Sequence, residues 1–101
     1  MAFGRLAAVD LSAATNNLVY TASAETFATL NVCSRSGICT VRVAIADNGI
    51  PANEDWIEYD VALTAGGVPL VREGIYLQST DRIYVYTDSA NAAAVVWGKT
   101  A

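Results

Sequence analysis

The stretch from Phe27 to Asp47, FATLNVCSRSGICTVRVAIAD, constrains the fold more than any other part of the chain. It holds two apolar runs in alternation around the short polar turn SRSG. Ala28, Leu30 and Val32 share one face of the first run, and Val41, Val43 and Ile45 share one face of the second. Successive side chains of a strand point to opposite faces, so this period-two pattern predicts two half-buried strands. Read as a hairpin, the runs pair with Leu30 opposite Val43 and Val32 opposite Val41. The same register sets Ser34 opposite Cys39 and Cys33 opposite Thr40, so the two thiols face opposite sides. A direct Cys33–Cys39 bond then needs a bulge in the turn, or a one-residue slip that turns an apolar face outward. Cys39 reads as core, and Cys33 as an outer-face residue placed to meet a partner.

The rest of the chain follows the same grammar. Arg5–Leu11 alternates loosely and is a candidate edge strand. Ser12–Asn17 is turn-rich, Leu18–Thr21 is a short β-prone run, and Ala22–Glu25 is a polar connection. Asp47–Asp55 (DNGIPANED) is a loop of turn-forming residues. Trp56–Leu63 alternates, with Ile57, Tyr59, Val61 and Leu63 on one face and Trp56, Glu58 and Asp60 on the other. A second hairpin is expected around QSTDR, pairing Leu77 with Ile83 and Tyr76 with Tyr84. Ala92–Lys99 closes the chain, apolar on both faces. Nothing supports a helix, since Ala90–Ala94 is too short to propagate alone. About eight short, evenly spaced strands predict an all-β fold, a single antiparallel β-sandwich of jelly-roll or Ig-like type spanning residues 1–101.

The chemistry of the chain is thin. Histidine is absent, which removes the commonest general base, the usual partner of a nucleophile and the commonest metal ligand. Two cysteines without histidine do not make a structural zinc site. No glycine-rich phosphate loop is present. The expectation is a non-enzyme with no catalytic residues, no metal and no cofactor. The carboxylates Asp47, Glu54, Asp55, Glu58 and Asp60 cluster but lack the spacing of a calcium loop. They read as a solvated turn and an acidic strand face that repels like copies or meets a partner's arginine. The net charge is −4 and the basic residues are scattered, which argues against nucleic acid. No apolar run is long enough to span a bilayer as a helix. Asp10 interrupts the apolar start, so the N-terminus does not read as a secretory signal, and synthesis in a cytoplasm is expected.

What remains is surface. The chain is 53% hydrophobic and 16% charged, more apolar than a 101-residue domain readily hides. A homo-oligomer or a multi-copy assembly is therefore expected, although alanine accounts for part of the excess. Trp56, Tyr76, Tyr84 and Tyr86 fall on faces opposite the predicted core. Such rings serve protein interfaces and sugar-binding platforms alike, or form the core of a further layer. With Cys33, they are the candidate interface residues.

The segments IPANEDWIEYDVAL and VPLVREGIYLQSTDRIYVYTDSANAAAVVWG, with the start GRLAAVDLSAATNNLVYTA and the stretch FATLNVCSRSGICTVRVAIA, resemble small virion proteins of tailed bacteriophages. The matching strands are Ile57–Asp60, Arg72–Leu77 and Ala92–Gly98, and the resemblance covers nearly the whole chain. It implies a β-sandwich structural protein on the exterior of a virion, binding other virion proteins as a capsid decoration (cement) protein. A tail, neck or baseplate fibre-associated protein is the alternative within that group, and a glycan-binding module the alternative outside it. The resemblance carries no active-site residues. In an oxidising setting it would leave Cys33 free to bond a neighbouring chain.

Overall fold

In a computed structural model of the chain, residues 3–101 are described; the first two residues of the expected 1–101 domain lie outside that range. Eight strands follow one another: β1 (Phe3–Asp10), β2 (Thr15–Thr21), β3 (Thr26–Ser34), β4 (Ile38–Asp47), β5 (Trp56–Thr64), β6 (Leu70–Leu77), β7 (Asp81–Thr87) and β8 (Ala92–Thr100). One 3-10 turn, Asn53–Asp55, precedes β5. The strands form two four-stranded antiparallel sheets: sheet A in the order β1-β8-β3-β6 and sheet B in the order β2-β7-β4-β5.

The pairing is nested. β4 pairs β5, β3 pairs β6, β2 pairs β7 and β1 pairs β8, as in one long hairpin whose tip is the loop 48–55. Rolling that hairpin brings β8 against β3 and β7 against β4, which completes both sheets. This is a jelly roll, one of the two sandwich types expected.

The roll corrects the local pairings. Phe27–Asp47 is not a hairpin, because residues 35–37 carry the chain from sheet A to sheet B. Leu30 and Val32 pair with Val96 and Ala94 of β8, while Val41 and Val43 pair with Thr87 and Val85 of β7. The expected core face is nevertheless correct: Leu30, Val32, Val41 and Val43 are all fully buried, and Ile45 packs against them. The two runs meet face to face across the sandwich instead of edge to edge. In the same way Leu77 pairs with Thr26, and Ile83 with Ile45 and Tyr20, so Tyr76 and Tyr84 belong to different sheets. Alternation reports which face is buried, not which strand supplies the hydrogen bonds.

The central ladders are regular. β3–β8 runs from Thr26↔Thr100 to Ser34↔Ala92 and β4–β7 from Val41↔Thr87 to Asp47↔Asp81, neither with a register shift. All four edge strands are bulged: β1 at Leu6, β2 at Val19, β5 at Ile57 and at Tyr59–Asp60, β6 at Glu73–Gly74. Gly74 (φ 71°) and Asp60 (φ 55°) supply the left-handed residues that two of these bulges need. Bulges twist an edge out of the plane a further strand would need, and so discourage edge-to-edge aggregation.

The β5 bulges also overturn the simple alternation there. Glu58 lies opposite the buried Val43, and Arg72 of β6 opposite the buried Leu30. Their side chains meet at 3.1 Å, an ion pair between the two edge strands on one open side of the sandwich. Tyr59 and Ile57, expected inside, are exposed. Val61 and Leu63, past the bulges, return to the core.

Gly98 fixes how closely β8 approaches β3. It sits between Gly4 of β1 and Ala28 of β3. A Cβ at this position would overlap the Phe27 carbonyl oxygen and lie 2.9 Å from the Ala28 Cα. Because both obstacles are backbone, relief requires prising the ladder apart. Gly98→Ala is expected to destabilise the fold by about 3 kcal/mol or more, at the upper end of overpacking costs, measured by urea denaturation.

Candidate functional site

Two outward faces carry the exposed chemistry, and they differ. On sheet B the alternation of β7 and β4 turns Tyr84, Tyr86, Arg42, Ala44 and Ala46 away from the core. Ala44 and Ala46 are small, and Tyr84 packs with them, with Trp56 of β5 partly buried alongside. This secondary cluster leaves Tyr84 buried although it points away from the main core. Beside it, the Arg42 guanidinium lies 4.1 Å from the Tyr59 ring centroid and 4.9 Å from that of Tyr86. Its Nε donates to the Asp60 carboxylate at 2.6 Å. Trp56 meets Tyr59 edge to face at 5.8 Å. The hydrogen bond to Asp60 holds the Arg42 guanidinium above its ordinary pKa, partial burial opposing and the Asp60 charge adding to it. A permanently charged, stacked and hydrogen-bonded arginine thus ties β7, β4 and β5 together on their outer side.

The bulges split the expected acidic face of β5, and each carboxylate is met from within the chain: Asp60 by Arg42 on the outer side of sheet B, and Glu58 by Arg72 of the opposite sheet. Asp55 accepts from the Ala52 backbone and closes the turn before β5. Among the described residues no three His, Cys, Asp or Glu side chains converge as metal ligands, and no helix is long and apolar enough to cross a membrane.

Sheet A presents a more open surface. β8 alternates Ala94, Val96 and Gly98 inward with Ala93, Val95, Trp97 and Lys99 outward, and β3 turns Phe27, Thr29, Asn31 and Cys33 to the same side. Tyr76 of β6 stands opposite Phe27, their rings edge to face at 4.7 Å. Phe3 of β1 lies at the far end of the same row, across Lys99. Phe3, Phe27, Tyr76 and Trp97 are all exposed. An open groove of about 470 Å³ borders the Phe27–Tyr76 pair, lined also by Glu25, Lys99 and Thr100.

The five candidate residues are thus divided. Trp56, Tyr84 and Tyr86 share the outer side of sheet B, while Tyr76 and Cys33 lie on that of sheet A. Phe3, Phe27 and Trp97 were not singled out by sequence. The signal available was the closing strand, apolar on both faces although only one face of a two-layer sandwich meets the core. No protein-family model, curated protein or solved structure matches the chain.

Both cysteines are free thiols: Cys33 half-buried opposite Ala93 in sheet A, and Cys39 buried opposite Leu63 in sheet B. Alkylation of the folded protein under native conditions is expected to modify Cys33 first and to reach Cys39 only on unfolding, with peptide mass spectrometry as the readout. For the arginine stack, Arg42→Lys is expected to lower the melting temperature and alter the tyrosine near-UV dichroism, because an ammonium cannot replace a planar guanidinium between two rings. An unchanged spectrum and melt would show that the stack contributes nothing.

Proposed function

We propose that this chain is a non-enzymatic structural protein of a tailed-phage virion, carried on the particle exterior as a capsid decoration protein. The observation that carries the reading is the outer face of sheet A. Four large aromatic side chains stand exposed there on a rigid, strand-built platform, in a protein whose edges are bulged. A surface of that kind suits association through a face rather than through strand addition. Jelly rolls serve capsids and lectins among other proteins, so the fold is compatible with the reading and does not by itself select it. Within that range the virion reading follows the resemblance of the sequence to tailed-phage virion proteins, and the measurement below tests it.

The glycan-binding alternative draws less support from the geometry. The four rings singled out for a sugar platform do not form one: Tyr84 is buried, Tyr86 is engaged by Arg42, and the exposed Tyr76 stands on the other sheet from Trp56.

Quantitative mass spectrometry of particles purified from a lysate containing the protein tests the proposal. Hundreds of copies per particle are expected for a decoration protein. Tens or fewer would move it to the tail, neck or baseplate, and absence from the particles would overturn the virion reading.

A further inference from the structure

The outer face of sheet A has a self-complementary layout. Its strands run β1-β8-β3-β6, so the midline passes between β8 and β3. Along the row nearest the chain termini stand Phe3, Lys99, Phe27 and Tyr76, one on each strand. The next row holds Arg5, Trp97, Thr29 and, in the β6 bulge opposite Thr29, Glu73. Arg5 and Glu73 therefore occupy the same row on opposite edge strands, with opposite charge. Neither takes part in an ion pair among the described residues, nor does Lys99.

We infer that this face is a two-fold interface between copies of this chain. A two-fold axis lying in the interface along the strands, at the midline, exchanges β1 with β6 and β8 with β3 while keeping each row in place. It sets Arg5 against the partner's Glu73, twice. It brings Lys99 over the partner's Phe27, where an ammonium is attracted to the ring face. It directs Phe3, 80% exposed, at the partner's Tyr76 and the groove beside it. A protruding ring and a groove at opposite ends of one row are what an isologous contact requires. Facing sheets whose strands stay nearly aligned are also the usual sandwich packing. The other in-plane two-fold, across the strands, instead sets β1 against the partner's β1 and β6 against its β6, so that Arg5 and Glu73 cannot meet.

The area is sufficient. Phe3 is 80%, Phe27 59%, Tyr76 71% and Trp97 40% exposed, equivalent to two and a half fully exposed rings. At about 200 Å² per ring, covering them removes about 500 Å² per copy, so the pair of copies reaches the ~1,000 Å² of a specific interface before any other residue is counted. The contact is non-covalent. With sheets about 10 Å apart and strands about 4.8 Å apart, the two Cys33 Cα atoms stand about 11 Å from each other, beyond disulfide reach.

The inference does not rest on the virion reading, and its test uses purified full-length protein alone. Sedimentation equilibrium over a concentration series, with and without reductant, is expected to show a monomer–dimer equilibrium indifferent to reductant. Arg5→Glu and Glu73→Arg each place like charges in contact twice and are expected to weaken dimerisation at least ~10-fold. The double variant, with both charges reversed, is expected to restore it to within about threefold, and Phe3→Ala to weaken it independently of charge. Both charged positions are exposed and unpaired, so circular dichroism should show intact folding throughout. A monomeric wild type, single reversals without effect, or a double variant no better than the singles would each overturn the interface.

Discussion

Everything in this molecule depends on two unbroken ladders pressed face to face. β3–β8 contributes Leu30, Val32, Ala94 and Val96, and β4–β7 contributes Val41, Val43, Ile83 and Val85. These side chains are fully buried, and most are β-branched and stiff. Each Leu, Ile or Val among them gains about 1.5–3 kcal/mol from leaving water, which outweighs what any surface ion pair here could add. The ladders tolerate no register shift because a single slip would turn every buried side chain of a strand outward. Gly98 belongs to the same constraint, since the backbone approach of β8 to β3 leaves no room for a side chain.

The periphery follows different rules. Every edge strand departs from regular pairing, and the departures have work to do. On β5 they turn Glu58 toward Arg72 of the opposite sheet and Asp60 toward Arg42. On β6 the bulge places Glu73 on the outer face, in the row of Arg5. The regular centre holds the fold together while the irregular margin sets which surfaces meet the outside. Sheet B's outer side is closed by its own Trp56, Tyr84 and stacked Arg42. Sheet A's is left open, which is why the proposed contacts fall there.

Much of this was legible in the residues. Alternation identified the strands, although it read Thr15–Asn17 of β2 and Asp81–Arg82 of β7 as turn, and it identified the core faces of β3 and β4 without error, because burial of one face acts on each strand locally. It also placed Cys33 and Cys39 on opposite sides of their sheets, although the hairpin used to argue this does not form. It failed at Ile57 and Tyr59, where two extra residues in β5 reset the period, and nothing in the letters WIEYD announces a bulge as a Gly would. Among the candidate interface residues, Tyr76 and Cys33 lie on the open face. Tyr84 does not, because Ala44 and Ala46 on the neighbouring strand leave a hollow for its ring, a relation visible only once β4 and β7 are adjacent.

The sequence by itself determined that the chain is all-β, how many strands it has, which side of the central strands is buried and that acid–base chemistry through histidine is absent. Those properties belong to single residues and their period. Tertiary structure alone decided which strands pair. A strand's hydrogen-bonding edge is the same backbone whatever its side chains, so β3 could as well accept β4 as β8. The choice falls to the rolled arrangement that buries both apolar faces at once, and that choice also brings Phe3, Trp97, Phe27 and Tyr76 onto one surface from four separate strands.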